Sequence, residues 1–532
     1  MSTERRPLYA PRGVVATSQP LAAAAGLAIL QRGGNAIDAA VATAVALTVL
    51  QPGSNDIGSD LFALVWDGER LHGLNASGRS PALLSRDRVL QQEPARASGA
   101  LGGAQAAGQV MPARGWLPVT VPGAPAGWRD LHERFGSLPY ADLFTDAIAY
   151  AEHGYPVSPE VAAGWARAAE QVHPALTGPE FAEWTRVFTF GGRAPRVGER
   201  WSNPDAARAL RSISGTASGS FYRGELAEAM VAHAARTGGL LSAADLAGHT
   251  SAWVEPISAA YRGHEVWEMP PNGQGIAALI ALGVLDGLPA SPSLHEQIEA
   301  IKLGFADAHA YVADPSLTAP VRELLSPQYL ARRRGLIGET AGTYPTGDPL
   351  RGGTVYLCTA DDSGRMVSLI QSNYMGFGSH IVVPGTGFGL QNRGAGFVLA
   401  PGHPNVVAPG KRPFHTIIPG FLTRDGAPVG PFGVMGGHMQ PQGHVQVVLS
   451  TVDGRLDPQA ALNAPRWYWH TGLNVQVEPG LAAAADELRR RGHRVAVESS
   501  PGAFGYGQAI WRTPAGYVAG SEPRADGAAL GH

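Results

Sequence analysis

The sequence predicts an α+β protein, in which helices fill most of the first two thirds of the chain and short strands fill the last third. Two patterns predict this class. Apolar residues recur at helical spacing between residues 124 and about 330, and short β-branched runs alternate with turns after residue 353. Hydrophobic residues make up 44% of the 532 residues and charged residues 16%, which is typical of a globular chain and not of a disordered one.

The N-terminal region predicts two helices, a strand and a loop. Residues 21–33 are rich in Ala and Leu at helical spacing, and the pair Gly33-Gly34 ends this helix. Residues 37–50 are almost wholly apolar, so we expect the second helix to be buried. Residues 61–66 predict a strand, and the Gly-, Ala- and Gln-rich residues 98–115 predict a loop.

The middle of the chain predicts helices and the last third predicts strands. Within the helical span 124–330, the predicted helices include residues 139–152, 225–237, 275–285 and 295–312. The turn-rich residues 340–353 lack the apolar content of an element and are expected to be exposed. Strands 354–360 and 365–371 flank a hairpin turn, Asp361-Asp-Ser-Gly364. Further strands are predicted at residues 381–383, 417–422, 429–435 and 445–449.

Charge and cysteine content exclude several classes of function. The net charge of −3 gives no electrostatic reason to expect nucleic acid or an anionic membrane as a partner. The single cysteine, Cys358, excludes an intrachain disulfide. The N-terminus shows no apolar core of a signal peptide, and the longest apolar stretch, residues 36–50, contains Asp38 and is too short to span a bilayer. We therefore expect a cytoplasmic protein.

The chemistry begins at Thr354, which opens a predicted strand after Gly352 and Gly353. A Thr hydroxyl is a poor nucleophile unless a base lies beside it, and the α-amine of an N-terminal Thr is such a base. The unperturbed pKa of an α-amine is about 7.7–8.0, so a modest downward shift frees the base form at neutral pH. A free Thr354 requires cleavage of its bond to Gly353. The same hydroxyl can attack that carbonyl, and the two glycines permit the backbone geometry of the attack.

Several separated motifs make the chain resemble the γ-glutamyltransferase family over nearly its whole length. In the first fragment they are Gly-Val-Val-Ala-Thr-Ser-Gln-Pro-Leu-Ala from Gly13, Ile-Leu-Gln-Arg-Gly-Gly-Asn-Ala-Ile-Asp-Ala-Ala at 29–40, Thr-Val-Pro-Gly-Ala-Pro-Ala-Gly-Trp at 120–128 and Pro-Pro-Asn-Gly-Gln-Gly at 270–275. Later in the chain they are Gly385-Thr-Gly387, Asn392, Pro-Gly-Lys-Arg-Pro at 409–413, Gly436-Gly437, Asn-Ala-Pro-Arg at 463–466 and Pro523-Arg524. Their number and order make the resemblance specific.

The resemblance implies a four-layer αββα sandwich built from two fragments of a self-cleaved chain, residues 1–353 and residues 354–532. It implies that the cut falls between Gly353 and Thr354 and that Thr354 is the nucleophile. Ser372 stands where the family has a second hydroxyl, which hydrogen-bonds the amine of the nucleophile. Gly436 and Gly437 would supply the backbone N–H groups of the oxyanion hole, which stabilise a tetrahedral oxyanion without loss of side-chain entropy. No metal and no organic cofactor is implied.

The sequence departs from a γ-glutamyl enzyme where the family binds the α-carboxylate and the α-ammonium of its substrate. The Arg of the family pattern aligns with Ser77, and Arg79 follows two residues later. The two adjacent Ser residues of the pattern align with His415 and Thr416. The Asp aligns with Gly396, so the anion that would hold a buried ammonium is missing.

Two further substitutions indicate what takes the place of that binding site. Arg393 stands where transferases usually have Gln, and Tyr374 stands where they usually have Asn. The candidate substrate-binding residues are therefore Arg393, Tyr374, His415, Thr416 and Arg79. Either Arg393 or Arg79 can be the carboxylate clamp, and Arg393 can equally form a surface salt bridge. His415 can equally be a packed structural histidine.

The first functional hypothesis is hydrolysis of a small amide whose acyl group carries a carboxylate but no amine, such as oxamate or a glutaryl amide. The sequence resembles the oxamate amidohydrolase and cephalosporin acylase side of the family in Gln391-Asn-Arg-Gly-Ala and in residues 370–378. The alternative is glutathione hydrolysis or γ-glutamyl transfer. A third hypothesis is a family scaffold without turnover.

Other residues with known chemistries predict no additional site. Cys358 lies within a predicted strand and is interpreted as a small buried hydrophobe. His438 and His444 lack the helical i, i+4 spacing of the common zinc motif. Residues 385–389 form only part of a dinucleotide fingerprint, without a surrounding βαβ unit. The absence of a Gly-x-Ser-x-Gly elbow argues against an α/β-hydrolase.

Overall fold

Two seven-stranded antiparallel sheets face each other at the centre of the molecule. The structure is a computed structural model that describes residues 4–92, 111–318, 320–344 and 353–532. Most of the predicted loop at 98–115 and residues 345–352 of the predicted turn-rich stretch therefore lie outside the described residues. Within the described ranges the strands are β1 (Leu8–Ala10), β2 (Val14–Thr17), β3 (Asp60–Trp66), β4 (Leu71–Ala76), β5 (Tyr155–Pro156), β6 (Arg200–Trp201), β7 (Ala252–Val254), β8 (Ile257–Tyr261), β9 (His264–Glu268), β10 (Gly353–Ala360), β11 (Met366–Tyr374), β12 (Gly420–Arg424), β13 (Ala427–Met435), β14 (Trp467–Thr471), β15 (Asn474–Val477), β16 (Arg494–Val497), β17 (Tyr506–Thr513), β18 (Gly516–Ser521) and β19 (Ala528–Gly531).

Helices cover both outer faces of this pair of sheets. In the described part of the chain the α-helices are α1 (Pro20–Gln31), α2 (Ala36–Leu50), α3 (Arg86–Gln92), α4 (Ala124–Phe135), α5 (Thr145–His153), α6 (Pro159–Arg167), α7 (Ala182–Phe188), α8 (Pro204–Gly215), α9 (Gly219–Arg223), α10 (Glu225–Thr237), α11 (Ala243–Ala247), α12 (Gly275–Asp286), α13 (Leu294–Tyr311), α14 (Val321–Leu324), α15 (Pro327–Arg334), α16 (Met439–Val452), α17 (Pro458–Asn463) and α18 (Ala482–Arg490). Short 3₁₀ turns include Tyr140–Phe144 and Arg393–Gly396.

Residues from both sides of the Gly353–Thr354 bond are interleaved in each sheet. The first sheet has the order β1-β18-β17-β13-β12-β9-β8, and the second has the order β19-β2-β10-β11-β3-β4-β7. Strands before residue 353 and strands after it are hydrogen-bonded neighbours in both, as in the pairs β2–β10 and β9–β12. Neither part of the chain can complete a sheet without the other.

The apolar core lies in three layers that follow from the alternation of side chains along each strand. One layer packs the second sheet against α1, α2 and α4, and it takes Val355 and Leu357 from β10. A second layer lies between the sheets and takes Tyr356 and Cys358 from the same strand. The third layer packs the first sheet against α12, α13 and α16. The predicted four-layer αββα sandwich is therefore confirmed, and Cys358 is a buried free thiol.

The predictions for the N-terminal region and for the strands at 354–360 and 365–371 agree with the structure to within a few residues. Residues of α2 are buried along the whole helix, as its apolar sequence predicts. The turn between β10 and β11 is closed by hydrogen bonds from Asp361 N–H to Arg365 O and from Gly364 N–H to Asp361 O. This hairpin places the predicted nucleophile and Ser372 on adjacent strands.

Several predictions of secondary structure are wrong, for physical reasons. Residues 445–449, predicted as a strand, belong to helix α16. Residues 439–449 of this helix are all buried, so the sequence lacks the alternating apolar and polar faces that would indicate a helix. The span 124–330 also holds strands β5–β9, of which β7–β9 are short and half-exposed. Residues 381–383 form only one isolated bridge, between Val382 and Gly389. The strand predicted at 417–422 begins at Gly420, because Ile417 N–H and Ile418 N–H donate to the side chains of His415 and Gln440.

Candidate active site

Thr354 lies at the start of β10, where this strand is irregular. Gly353 pairs with Tyr374 and Val355 pairs with Gln371 of β11, so the register shifts at Thr354. Thr354 is only 1% exposed. Its hydroxyl Oγ1 lies 3.1 Å from Ser372 Oγ on the adjacent strand. The sequence-predicted nucleophile and the predicted second hydroxyl are therefore in direct contact.

Ser372 is held by two N–H donors. Its Oγ accepts a hydrogen bond from Tyr374 N–H at 2.8 Å and another from Arg393 Nη2 at 3.2 Å. The backbone of Tyr374 and the guanidinium of Arg393 therefore hold the Ser372 hydroxyl in its position next to Thr354 Oγ1.

Arg393 is a buried cation beside this pair of hydroxyls. It is 0% exposed, and its Nη1 donates to Thr416 Oγ1 at 2.7 Å. The guanidinium carbon lies 4.3 Å from the centre of the Tyr374 ring, which stabilises the charge by a cation–π contact. Burial lowers the pKa of Arg393 to about 10, so it stays charged at neutral pH. Its Nε has no acceptor, and no carboxylate of the described residues lies within 4.0 Å of its nitrogens.

Asp60 is a member of the site that the sequence analysis missed. It begins β3, and the antiparallel register places it directly opposite Ser372. Its Oδ1 accepts hydrogen bonds from Gly78 N–H and Gly123 N–H, each at 3.2 Å. Burial raises the pKa of Asp60 to about 7, and the charge of Arg393 opposes that rise. A carboxyl with this pKa, opposite the hydroxyl that contacts Thr354, titrates in the neutral range.

His415 is turned towards Asp60 and does not contact Thr354. Its Nε2 lies 3.1 Å from Asp60 Oδ2, and its Nδ1 accepts a hydrogen bond from Ile417 N–H at 3.3 Å. Since Nδ1 accepts, Nε2 carries the hydrogen and donates to the carboxyl. Burial and the nearby Arg393 hold the pKa of His415 well below its usual range, so the ring is neutral.

Gly436 and Gly437 lie between β13 and α16. Their φ values of +135° and +62° belong to the region that favours glycine, and a Cβ at Gly436 would lie 3.2 Å from Gly505 Cα. Neither N–H donates a hydrogen bond to a protein acceptor in the described ranges. Two unpaired N–H groups just ahead of a helix N-terminus provide the partial positive charge that an oxyanion requires.

Gln274 connects this glycine pair to the Arg393 side of the site, and the sequence analysis gave it no role. Its buried Nε2 donates to Thr416 O at 2.6 Å and to Gly437 O at 2.9 Å. Contacts therefore run without a break from Thr354 through Ser372, Arg393, Thr416 and Gln274 to Gly437. The only sequence signal was the position of Gln274 within the motif at 270–275, which the resemblance had already singled out.

Arg79, the other candidate clamp, is not brought into this cluster. Its side chain is 48% exposed, and its Nη1 forms an ion pair with Asp314 Oδ2 at 2.9 Å and donates to Gly410 O at 3.0 Å. Position 396 has no room for the acidic side chain of the family pattern, because a Cβ there would lie 2.6 Å from Phe414 O. The structure therefore links Arg393, Tyr374 and Thr416 to the Thr354–Ser372 pair through Arg393. It places His415 on Asp60 and leaves Arg79 outside.

One group of buried side chains among the described residues has the composition of a metal site, namely His295, Glu299 and His493. Lys302 Nζ already contacts Glu299 Oε1 at 2.6 Å, and Gly342 N–H and Tyr344 OH donate to Oε2. Because these donors satisfy the carboxylate, the group is explained as a buried polar network without an ion. His444 is likewise paired, through its Nδ1, with Glu268 Oε1 at 2.6 Å.

No helix in the part of the chain that the structure describes is long and apolar enough to cross a membrane.

Comparison with known proteins places the site in context. Residues 22–532 match the family model described as gamma-glutamyltranspeptidase.

Two curated relatives and one solved structure resemble the chain over almost its full length. The chain is 33% identical to the glutathione hydrolase-like YwrD proenzyme of Bacillus subtilis, over 97% of this chain and 98% of that protein. It is 34% identical to the oxamate amidohydrolase proenzyme of Klebsiella pneumoniae, over 98% of each. The crystal structure of cephalosporin acylase from Bacillus halodurans matches with a TM-score of 0.93 and 52% identity, over 99% of this chain and 97% of that one.

Proposed function

Because the chain belongs to the γ-glutamyltranspeptidase family of N-terminal-nucleophile hydrolases, we propose that it is a self-cleaving amide hydrolase whose nucleophile is Thr354. In the uncut chain the nitrogen of Thr354 belongs to an amide and cannot act as a base. Attack of Thr354 Oγ1 on the Gly353 carbonyl, followed by hydrolysis, frees the α-amine beside the hydroxyl. Two of the relatives are named proenzymes, which supports a processed chain.

After cleavage the α-amine of Thr354 takes the proton of Oγ1 while the oxygen attacks the amide carbonyl of the substrate. The N–H groups of Gly436 and Gly437 hold the resulting oxyanion. The amine then gives its proton to the leaving nitrogen, and the C–N bond breaks to leave an acyl ester on Thr354. Water attacks this ester and releases the free acid. Ser372 orients the hydroxyl throughout.

The acyl group carries a carboxylate and no ammonium. The observation that carries this part of the proposal is Arg393, a fully buried cation that no protein carboxylate contacts in the described ranges. Its Nε lacks an acceptor, and an unsatisfied buried donor is costly. A substrate carboxylate supplies both the charge and the acceptor that the protein does not.

Among the described residues, an ammonium has no comparable partner. Position 396 is Gly and offers no carboxylate. The carboxyl of Asp60 acts on the pKa of Arg393, but it already accepts hydrogen bonds from Gly78, Gly123 and His415. A buried ammonium without an anion carries a large desolvation cost. These contacts favour a carboxylated acyl amide over a γ-glutamyl amide.

Glutaryl-p-nitroanilide and γ-glutamyl-p-nitroanilide test the proposal, because these two substrates differ only in the α-ammonium. We expect kcat/KM to be at least about tenfold higher for the glutaryl compound, which corresponds to about 1.4 kcal/mol. Acetyl-p-nitroanilide serves as the control without a carboxylate and is expected to be slower than both. A preference for the γ-glutamyl compound would establish the alternative, glutathione hydrolysis or γ-glutamyl transfer.

The two fragments are expected to remain associated as a heterodimer. Residues before 353 and after 354 share both sheets, and separation would expose the backbone edges of several strands. Gel filtration of the mature protein under native conditions is expected to give one species that contains both fragments. Elution of the fragments as separate species would contradict this part of the proposal.

A further inference from the structure

We propose, resting on the function proposed above, that the acyl carboxylate is attached directly to the scissile carbonyl or is separated from it by one carbon. The substrates are then oxalyl-type or malonyl-type amides in preference to glutaryl amides. Three observations carry this inference: the distance from Arg393 to Thr354, the edge of the guanidinium that lacks an acceptor, and the contacts that hold the guanidinium in place.

Arg393 lies close to Thr354. Arg393 Nη2 is 3.2 Å from Ser372 Oγ, which is 3.1 Å from Thr354 Oγ1. The distance from Nη2 to Oγ1 therefore cannot exceed the two contacts laid end to end, or about 6.3 Å. An acyl group that reaches from Thr354 Oγ1 to Arg393 Nη2 must fit within this distance.

The part of the guanidinium without an acceptor is on the same side. Nε and Nη2 share one edge of the planar group, and a carboxylate can accept from both at once. Nη2 is the nitrogen that contacts Ser372, and Nε is the buried atom without an acceptor. The opposite nitrogen, Nη1, donates to Thr416. The edge that can take a ligand thus faces the nucleophile.

The guanidinium is not free to move towards a more distant carboxylate. One face lies against the Tyr374 ring at 4.3 Å, and the Thr416 hydroxyl holds Nη1 at 2.7 Å. Thr416 is itself fixed through its carbonyl by Gln274. Tyr374, which lies against the cation, is itself buried and packed with Met375 and Ala395.

Elementary bond lengths convert this geometry into an acyl length. Attack requires the hydroxyl oxygen about 3 Å above the carbonyl carbon, and a charge-assisted N–H···O contact adds about 2.8 Å beyond the carboxylate. An oxalyl group adds one C–C bond of about 1.5 Å and a C–O bond of about 1.2 Å, so these links span at most about 8.5 Å end to end, and the bond angles shorten that span. A glutaryl group has three more C–C bonds, which add up to about 4.5 Å, so it must fold back to fit the same distance. The observed upper bound agrees with the shorter acyl group.

A series of p-nitroanilides with one leaving group tests the inference on the mature enzyme. We would measure kcat/KM for the oxalyl, malonyl, succinyl and glutaryl compounds, with acetyl-p-nitroanilide as the neutral control. Hydrolysis breaks the same C–N bond in each case and releases p-nitroaniline and the dicarboxylate. We expect the oxalyl or malonyl compound to exceed the glutaryl compound by at least about tenfold, the usual effect of a misfitting methylene.

An oxalyl carbonyl is intrinsically more reactive than a glutaryl carbonyl, so the same series is repeated with Arg393→Gln. Intrinsic reactivity is unchanged in the variant, whereas the selectivity that depends on Arg393 is lost. We expect the ratio of oxalyl to glutaryl kcat/KM to fall by about tenfold in Arg393→Gln. Arg79→Gln tests the competing clamp in the same way, and a collapse of the ratio only in that variant would overturn the inference.

The outcomes separate this inference from the function on which it rests. If glutaryl is the preferred acyl group and the preference over acetyl depends on Arg393, the carboxylate clamp stands and the short acyl length is wrong. If the γ-glutamyl compound is preferred, or if Arg393→Gln retains the full preference for carboxylated over acetyl substrates, the proposed function itself is wrong.

Discussion

Asp60 on β3 lies directly opposite Ser372 on β11, so a carboxyl with a pKa of about 7 and the hydroxyl that contacts Thr354 share one face of the sheet. Side chains at paired positions of an antiparallel sheet are close neighbours. Ser372 therefore has the Asp60 carboxyl opposite it across the strand pair and the Arg393 guanidinium 3.2 Å from its hydroxyl. This arrangement has consequences for variants of each residue.

Ser372→Ala is expected to slow both self-cleavage and turnover. The change removes the acceptor of Tyr374 N–H and of Arg393 Nη2, and it removes the contact with Thr354 Oγ1. We expect kcat to fall by about a hundredfold, the lower end of the range for positioned proton-transfer groups. Ser372→Thr keeps the hydroxyl and is the matched control. Equal losses in both variants would indicate a packing effect and not a role for the hydroxyl.

Gly436→Ala is expected to lower kcat by about a hundredfold, because loss of a single oxyanion donor has an effect of this size in other hydrolases. A Cβ at this position meets Gly505 Cα at 3.2 Å with φ at +135°, so the peptide must move. Gly402→Ala is the matched control, since Gly402 also has a positive φ, +79°, but open space around its Cβ. Equal activity of the two alanine variants would argue against Gly436 in the oxyanion hole.

Gln274→Glu is expected to lower kcat by at least about tenfold with a smaller change in KM. The substitution keeps the shape but places a carboxylate oxygen against the carbonyls of Thr416 and Gly437 in place of their donor. Gln297→Glu makes the same change at a residue whose Nε2 also donates to a backbone carbonyl, that of Pro292. A change in KM alone for Gln274→Glu would show that the catalytic role proposed for Gly436 and Gly437 does not depend on the Gln274 side chain.

Asp60→Asn is expected to change the pH dependence of stability. The pKa of Asp60 is raised to about 7 in the folded protein, whereas an unfolded Asp titrates near 3.9. Between these values the folded state binds the extra proton, so the free energy of unfolding falls as pH rises from about 4 to about 7. Asparagine does not titrate, and the stability of the parent relative to the variant should therefore decrease over this window and then level off.

Urea unfolding at several pH values checks this expectation. The comparison is best made in the Thr354→Ala background, which is expected to keep the chain in one piece. Other buried acids with raised pKa values, such as Asp56 and Glu268, contribute equally to both proteins and cancel in the difference. A stability difference that does not vary between pH 4.5 and pH 8 would show that Asp60 does not take up the proton.

The sequence alone predicts the parts of this protein that local patterns encode. The buried helix α2, the β10–β11 hairpin and the pairing of Thr354 with Ser372 follow from apolar runs, turn residues and the family motifs. The sequence also predicts β3 at residues 61–66, so Asp60 lies one residue before the predicted start of the strand. The contact of Asp60 with the site depends on the register between β3 and β11, which are more than 300 positions apart in the chain.

The wrong or missed predictions share one physical cause, which is long-range contact. Residues 445–449 were interpreted as a strand because α16 is buried on all sides and shows no polar face. Gln274 looks like an ordinary loop residue until the fold brings Thr416 and Gly437 to its amide. Arg79 was a candidate clamp because it follows an aligned position, and only the structure shows its ion pair with Asp314. Long-range pairing and burial decide these cases, and neither is visible in a local pattern.

The most direct test of the account is the mass of the mature, active protein together with the N-terminal sequence of its smaller fragment. The account predicts two fragments, the smaller one beginning Thr354-Val355-Tyr356, and a single uncut and inactive chain for Thr354→Ala. An active enzyme that proves to be one continuous polypeptide, or a Thr354→Ala variant that still divides at this bond, would contradict it. A purified protein that neither cleaves nor turns over any amide would instead establish an inactive scaffold of the family.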